Sequence, residues 1–174
     1  MHEFTELIYR CTNFSLNALD RIEEEVSKEL EDSGATTLVK SLQMISLNKV
    51  VLAVGMFSIF EAHLQDQLEC KNGFSEARRI LDEANEDEIR DCFNHLTLAI
   101  NVLKHGKGRS YNDLVEKSEE LAFRIKMPDE HFFYEGDLSE VSTLIEVDSD
   151  FVKLCSKNIE DVSNILRKTH PYFG

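Results

Sequence analysis

Apolar residues recur at spacings of three and four along most of this chain, and this helical periodicity constrains the fold more than any other feature. It predicts six helices, over residues 3–31, 37–70, 76–84, 85–104, 111–123 and 151–168. The sequence has only 2 Pro and 7 Gly, so few positions interrupt a helix. We therefore expect one all-α domain spanning residues 1–174, an up-and-down bundle of five to six helices with a short extended segment near 142–147.

The second predicted helix is the most apolar of the six. Between residues 47 and 60 nearly every face carries an apolar side chain, which is typical of a helix at the centre of a soluble core. We expect Gly55, inside this run, to let a neighbouring helix approach closely. Caps are predicted for three later helices, because these side chains accept hydrogen bonds from free N–H groups: Ser75, Asn85 and the stretch Asp148-Ser149-Asp150.

The chain is acidic, with 19 Lys and Arg against 33 Asp and Glu and a formal net charge of −14. This charge repels nucleic acid and anionic membrane at long range. A local anion site remains compatible with it, because physiological salt screens charges beyond about 8 Å.

Sequence features also predict where the protein resides. No apolar run approaches the ~20 residues of a membrane-spanning helix, and the acidic N-terminus lacks the basic and apolar parts of a signal peptide. The four cysteines lie far apart and form no C-x-x-C pair, so we expect free thiols, no zinc site and a cytoplasmic location.

One short stretch departs from the acidic composition: Lys104-His105-Gly106-Lys107-Gly108-Arg109-Ser110. Asn101 precedes His105 by four residues on a predicted helix, so the two side chains share a face about 150° from the core face of Phe93 and Ile100. The dipole at a helix C-terminus favours a cationic His, and glycines allow backbone N–H groups to turn toward an anion. Two interpretations stay open: these polar residues simply meet water, or Asn101 and His105 line a cleft and act on a bound group.

Residues 98–110 resemble the signature of the HEPN superfamily. These are all-helical proteins whose motif is Arg-Asn/polar-x-x-x-His near a helix end. The motif here is Ile100-Asn101-Val102-Leu103-Lys104-His105, and the wider stretch looks like a HEPN-like group of uncharacterised bacterial proteins. The order of long helices is also similar to that superfamily.

The resemblance implies a homodimeric, metal-independent ribonuclease of toxin or defence type that needs no cofactor. His105 and Asn101 carry over as the catalytic residues, with His105 as the acid or base. Ile100 stands where the motif has arginine. A basic group stabilises the charge that develops on phosphate during cleavage. Five residues could supply that group: Lys104 at the end of the helix, Lys107 and Arg109 of the loop, and Arg78 and Arg79 of another helix.

Two functions follow from these observations as expectations. The first is an RNA- or nucleotide-phosphate-binding protein, with metal-independent cleavage by His105 as its catalytic form. Its anion-binding candidates are Lys104, Lys107, Arg109 and Ser110. The alternative is a non-enzymatic helical interaction or regulatory protein acting as a homodimer, whose basic loop pairs with acidic patches of a protein partner.

Two further patterns contain residue types that can carry chemistry. Asp91 and His95 are four residues apart and could share a metal, but two ligands do not make a site, so we expect no bound metal. The aromatic run at residues 132–134 would stack on nucleic-acid bases or, as such trios do more often, fill a core edge or dimer interface.

Overall fold

The computed structural model describes residues 4–170 and 173. The described residues form six α-helices: α1 (Phe4–Asp32), α2 (Thr36–Gln67), α3 (Gly73–Glu83), α4 (Asp87–His105), α5 (Arg109–Glu116) and α6 (Ser149–Thr169). A short 3₁₀ turn at Ser118–Glu120 follows α5. The prediction of an all-α bundle of five to six helices is confirmed. The predicted start of the first helix at residue 3 lies outside the described residues.

The two longest helices, α1 and α2, pack side by side in opposite directions. The Thr12 hydroxyl of α1 lies 3.0 Å from the Met56 sulfur of α2. Further along the pair, the buried Lys49 ammonium donates to the Glu23 carboxylate at 2.6 Å. α6 also runs antiparallel to α1, and side-chain hydrogen bonds join the two helices at both ends.

The core is one cluster of buried side chains to which every helix contributes. Its centre is a group of phenylalanines from α2, α3 and α4 whose ring centroids lie between 5.4 and 6.3 Å apart: Phe57, Phe60, Phe74 and Phe93. Aromatic pairs at such separations add about 0.5–1.5 kcal/mol each beyond the burial of their area. These rings therefore hold α3 and α4 against the same stretch of α2.

α2 is not buried on all sides, which contradicts the prediction from its apolar run. Phe57 and Phe60 are fully buried, but Val51 is 63% exposed and Ile59 is 56% exposed. The predicted close approach at Gly55 is also wrong within the described chain, because no heavy atom lies within 4 Å of a Cβ built there. α2 is long and apolar enough to cross a membrane by length and composition alone, which corrects the prediction that no segment reaches that threshold.

Helix caps were predicted correctly at one helix of three. The cap of α3 is Asn72 rather than Ser75, since the Asn72 side chain accepts from the Ser75 N–H at 2.8 Å. Asn85 does not cap α4; its backbone instead adopts a φ of 57° in the turn before that helix. Asp148 does cap α6 through its side chain, as predicted.

In the segment between α5 and α6, the extended piece predicted near residues 142–147 is limited to a single bridged residue, Ile145. Ile125 and Ile145 form an isolated antiparallel bridge between its two ends. Between them, the Glu140 carboxylate accepts from two backbone N–H groups and pairs with the buried Lys126 ammonium at 3.5 Å. One side chain thus organises a loop that has little regular structure of its own.

Candidate phosphate-binding site

The last turns of α4 pass from the core to the surface. Ile100 is 3% exposed and belongs to the core. Asn101, the next residue, is half-buried, while Lys104 and His105 in the last turn are exposed. Burial of the helix therefore ends at the residues that carry the sequence motif.

A cavity of about 290 Å³ opens between α2, α3 and α4; we call it the α2–α3–α4 pocket. Its polar lining residues are Ser58, Glu61, Asn72, Arg78, Thr97, Asn101 and Lys104. Its apolar lining residues are Phe57, Phe74, Leu98 and Ile100. Seven of these eleven lining residues are polar, so the pocket is more polar than the usual small-ligand site, whose lining is mostly apolar.

The lining of the α2–α3–α4 pocket is positive on a chain that is strongly negative. Arg78 and Lys104 contribute two positive charges, and Glu61 contributes one negative charge. Neither cation forms an ion pair with any carboxylate among residues 4–170 and 173, although most other Lys and Arg side chains of the chain do. Burial lowers the pKa of the Arg78 guanidinium, because desolvation disfavours its charged form. A bound anion would compensate this desolvated charge.

The two arginines of α3 have opposite surroundings. Arg79, one residue after Arg78, is held by carboxylates on both sides, with Glu76 at 2.6 Å and Glu83 in an even shorter contact. These contacts raise the pKa of Arg79 above its ordinary value. Of the five basic residues considered as substitutes for the motif arginine, only Arg78 and Lys104 line this pocket.

Unused hydrogen-bonding groups lie beside the two cations. The side chains of Ser58 and Asn101 have no hydrogen-bond partner within the described part of the chain. Two other polar lining residues are already engaged, since the Thr97 hydroxyl donates to a backbone carbonyl of α4 and the Asn72 carbonyl oxygen caps α3. The pocket therefore offers a hydroxyl and an amide to a ligand in addition to its positive charges.

The basic loop after α4 does not line this pocket. Gly106, with φ of 74°, ends α4 in a conformation that favours glycine, and α5 begins after only two more residues. The Lys107 ammonium lies 5.8 Å from the centre of the Tyr111 ring, and Arg109 faces Asp113 at 3.9 Å. Among the predicted site residues, the structure thus brings Asn101 and Lys104 together in the pocket but leaves the rest of the set outside its lining: His105, Lys107, Arg109 and Ser110.

Sequence reasoning missed Ser58 and Glu61 as site residues and named Arg78 only as one of several sources of charge. Ser58 lies within the apolar run of residues 47–60 and Glu61 directly follows it, and a single Ser or Glu there does not by itself indicate a site. Arg78 and Arg79 are adjacent in sequence, so only the packing of α3 distinguishes the residue that enters the pocket from the one that faces solvent.

No group of three or more His, Cys, Asp or Glu is positioned to hold a metal ion in the described residues. Asp91 and His95 lie on the wall of a separate cavity of about 330 Å³ between α4, α6 and the loop after α5. Burial lowers the pKa of His95 there. In the aromatic run, Phe133 is buried with the Lys126 ammonium 4.4 Å from its ring centre, and its two neighbours are exposed.

Comparison with protein-family models, curated proteins and solved structures gives no match to this chain.

Proposed function

We propose that this protein binds a phosphate-bearing ligand, RNA or a nucleotide, in the α2–α3–α4 pocket. The observation that carries this proposal is that Arg78 and Lys104 line one concave site, and neither lies within ion-pair distance of a carboxylate of the described chain. On a chain of net charge −14, carboxylates are abundant partners for any cation. Two cations that converge without one are best explained by an anionic ligand.

The chemistry of the lining suits a phosphate attached to an organic group. The Arg78 guanidinium can donate two parallel hydrogen bonds to two phosphate oxygens, and Lys104 adds a mobile point charge. Ser58 and Asn101 can donate to a remaining oxygen or to a sugar or base edge. The apolar wall, with Leu98 at its rim, provides a surface for a ribose or base. Inorganic phosphate would use only the polar half of this pocket.

Binding is the function that this geometry favours, and cleavage is its conditional extension. His105 directly follows Lys104 at the end of α4, so a strand that leaves the pocket along α4 would pass it. His105 could then act as acid or base on a ribose hydroxyl or leaving oxygen, as the family resemblance implies. The basic groups that would stabilise the developing charge are Arg78 and Lys104, because Ile100 replaces the motif arginine.

Titration of the purified protein with a fluorescent single-stranded RNA oligomer and with a fluorescent nucleotide tests the binding proposal. We expect Arg78→Gln and Lys104→Gln each to weaken affinity at low salt by about tenfold or more and to reduce the salt slope by about one. The matched control is Arg79→Gln, which removes the same charge from the next residue of α3 but outside the pocket. Wild-type affinity in both pocket variants, or equal losses in all three, would overturn the proposal.

Incubation with RNA in the presence of EDTA tests the catalytic extension separately. Cleavage that is lost in His105→Ala, while the same variant still binds RNA, would support a metal-independent ribonuclease. Binding without cleavage at any protein concentration would leave a binding or regulatory module.

The alternative function, a non-enzymatic interaction protein, is favoured by a different observation. Large apolar side chains of α1 and α2 are exposed to solvent on the side of the bundle away from α6. Soluble monomers rarely leave such a surface uncovered.

A further inference from the structure

The exposed apolar side chains of α1 and α2 form two parallel rows, which we call the apolar face. On α1 the row is Leu7, Cys11, Phe14, Ala18 and Ile22; on α2 it is Met44, Leu47, Val51 and Ile59, with the half-buried Gly55 between the last two. Spacings of three, four and seven place the members of each row along one side of their helix.

The two rows lie next to each other. Phe4 projects from α1 on the same side as the α1 row and stacks on His63 of α2, with ring centroids 4.3 Å apart. Ile59 is one turn before His63 on α2. Because α1 and α2 are antiparallel, the α1 row continues from that contact along the length of α2, beside the α2 row. The result is one surface, two helices wide, whose members carry no charge.

The area of the apolar face matches that of a stable protein interface. Seven of its side chains are between 44% and 78% exposed, led by Phe14. Together they present on the order of 700 Å² of apolar surface, against roughly 800 Å² buried by each partner in a standard interface. The largest apolar patch on a typical monomer is smaller, about 300–600 Å².

Gly55 provides a second, independent indication. It lies in the middle of α2, where glycine costs roughly 0.5–1 kcal/mol relative to alanine. Its φ is not in the left-handed region, and no described atom lies within 4 Å of a Cβ built there, so neither the backbone conformation nor close packing of the described residues requires glycine. A glycine at the centre of an exposed apolar row permits close approach of a helix from outside.

Charge decides which occupant fits best. Helices that lie on membranes combine an apolar face with Lys and Arg on the polar side, whereas this chain has a net charge of −14. An uncharged face that is two antiparallel helices wide is self-complementary: a twofold axis through it places two copies of the α1–α2 pair together as a four-helix layer. Homodimer interfaces are also the more apolar class, as this face is.

We infer that the apolar face binds a second copy of this chain, with α1 and α2 of each protomer packed across a twofold axis near Gly55. This inference does not depend on the α2–α3–α4 pocket. Each can fail without the other, because ligand titration tests the pocket and molecular mass in solution tests the face.

The test is the molecular mass of the full chain by sedimentation velocity between about 1 and 100 μM, a range in which interfaces of this size commonly associate. We expect a concentration-dependent dimer. Phe14→Glu should raise the dissociation constant on the order of 100-fold, as expected for a central anchor side chain. Gly55→Leu, whose Cβ would have no described atom of its own protomer within 4 Å, should weaken the dimer as well. The control Asn17→Glu adds the same charge to the exposed, polar side of α1 and should leave the dimer intact.

A second measurement keeps the inference testable if a variant folds poorly. Cys11 is an exposed thiol within the apolar face, whereas Cys70 lies outside it. Alkylation of Cys11 by iodoacetamide, read by peptide mass spectrometry, should slow as protein concentration rises, while that of Cys70 should not. A monomer at every concentration, or a dimer unaffected by Phe14→Glu and Gly55→Leu, would overturn the inference. So would a monomer that floats with phosphatidylcholine vesicles, which would assign the face to a membrane.

Discussion

Gly73 lies where α3 begins, pressed against the backbone of α2. A Cβ built at this position would lie 2.6 Å from the Leu64 Cβ and 2.8 Å from the Glu61 carbonyl oxygen. Ordinary contacts begin near 3.4 Å, so in Gly73→Ala the start of α3 must move away from α2 by roughly 1 Å. Neither contact is with the mobile end of a side chain, so rotation of a side chain in α2 cannot relieve the clash.

Overpacking of this kind lowers the free energy of unfolding by about 1–3 kcal/mol. The higher helix propensity of alanine offsets part of this loss. We therefore expect Gly73→Ala to lower the free energy of unfolding by about 1–2 kcal/mol and Tm by about 2–8 °C for a chain of this length. Urea denaturation followed by far-UV circular dichroism measures this directly, because nearly all regular structure in the described residues is helical. The same displacement of α3 would move Arg78 and weaken phosphate binding.

The matched control is Gly34→Ala in the connection between α1 and α2. No described atom lies within 4 Å of a Cβ at Gly34, and its φ is not in the left-handed region. Alanine there should stabilise the protein by about 0.4–1 kcal/mol, since it only reduces the freedom of the unfolded chain. If Gly73→Ala were as stable as Gly34→Ala, close packing of α3 on α2 would not be what positions the pocket.

Three further perturbations probe other parts of the fold. Asp148→Ala removes the side-chain cap of α6 and should lower the free energy of unfolding, measured by urea denaturation, by about 1 kcal/mol. An unchanged free energy of unfolding would contradict the capping role. Glu140→Ala removes the acceptor of two backbone N–H groups and the partner of the buried Lys126. It should lower the free energy of unfolding by about 1–3 kcal/mol and speed hydrogen exchange in that loop. Unchanged exchange would contradict the organising role of Glu140. Burial lowers the pKa of His63 below its ordinary 6.5, so the folded state favours the neutral ring. Stability should therefore be level above about pH 6.5 and fall as the pH drops below it, and His63→Leu should flatten that fall in urea midpoints measured from pH 7.5 to 5.5.

Local signals in the sequence were sufficient for most of the helices. The apolar spacing that predicted the last helix reflects a face that is buried in the structure, and the Asp148 cap depends only on residues three apart. Hydrophobic periodicity and capping are short-range properties, so they can be read without knowledge of the neighbours. The prediction of Asn85 as a cap failed because a turn at positive φ competes for the same residue type.

The candidate site could be predicted only in part. Asn101 and Lys104 were identified from their position at the end of a predicted helix. Arg78 comes from a different helix, and its role depends on the rotation and register of α3 against α2. Gly73 sets that register through a contact with Leu64, nine residues earlier, which no helical periodicity encodes.

Composition and periodicity by themselves determined that this chain is helical, acidic and equipped with a basic helix end. Tertiary packing alone decided which side of α2 is covered and which cations remain unpaired. A helix that is apolar all round can be placed at the centre of a core or at an interface, and its sequence is compatible with both, because burial depends on how many other helices reach it. In this bundle they cover the side of Phe57 and Phe60 and leave that of Val51 and Gly55 open.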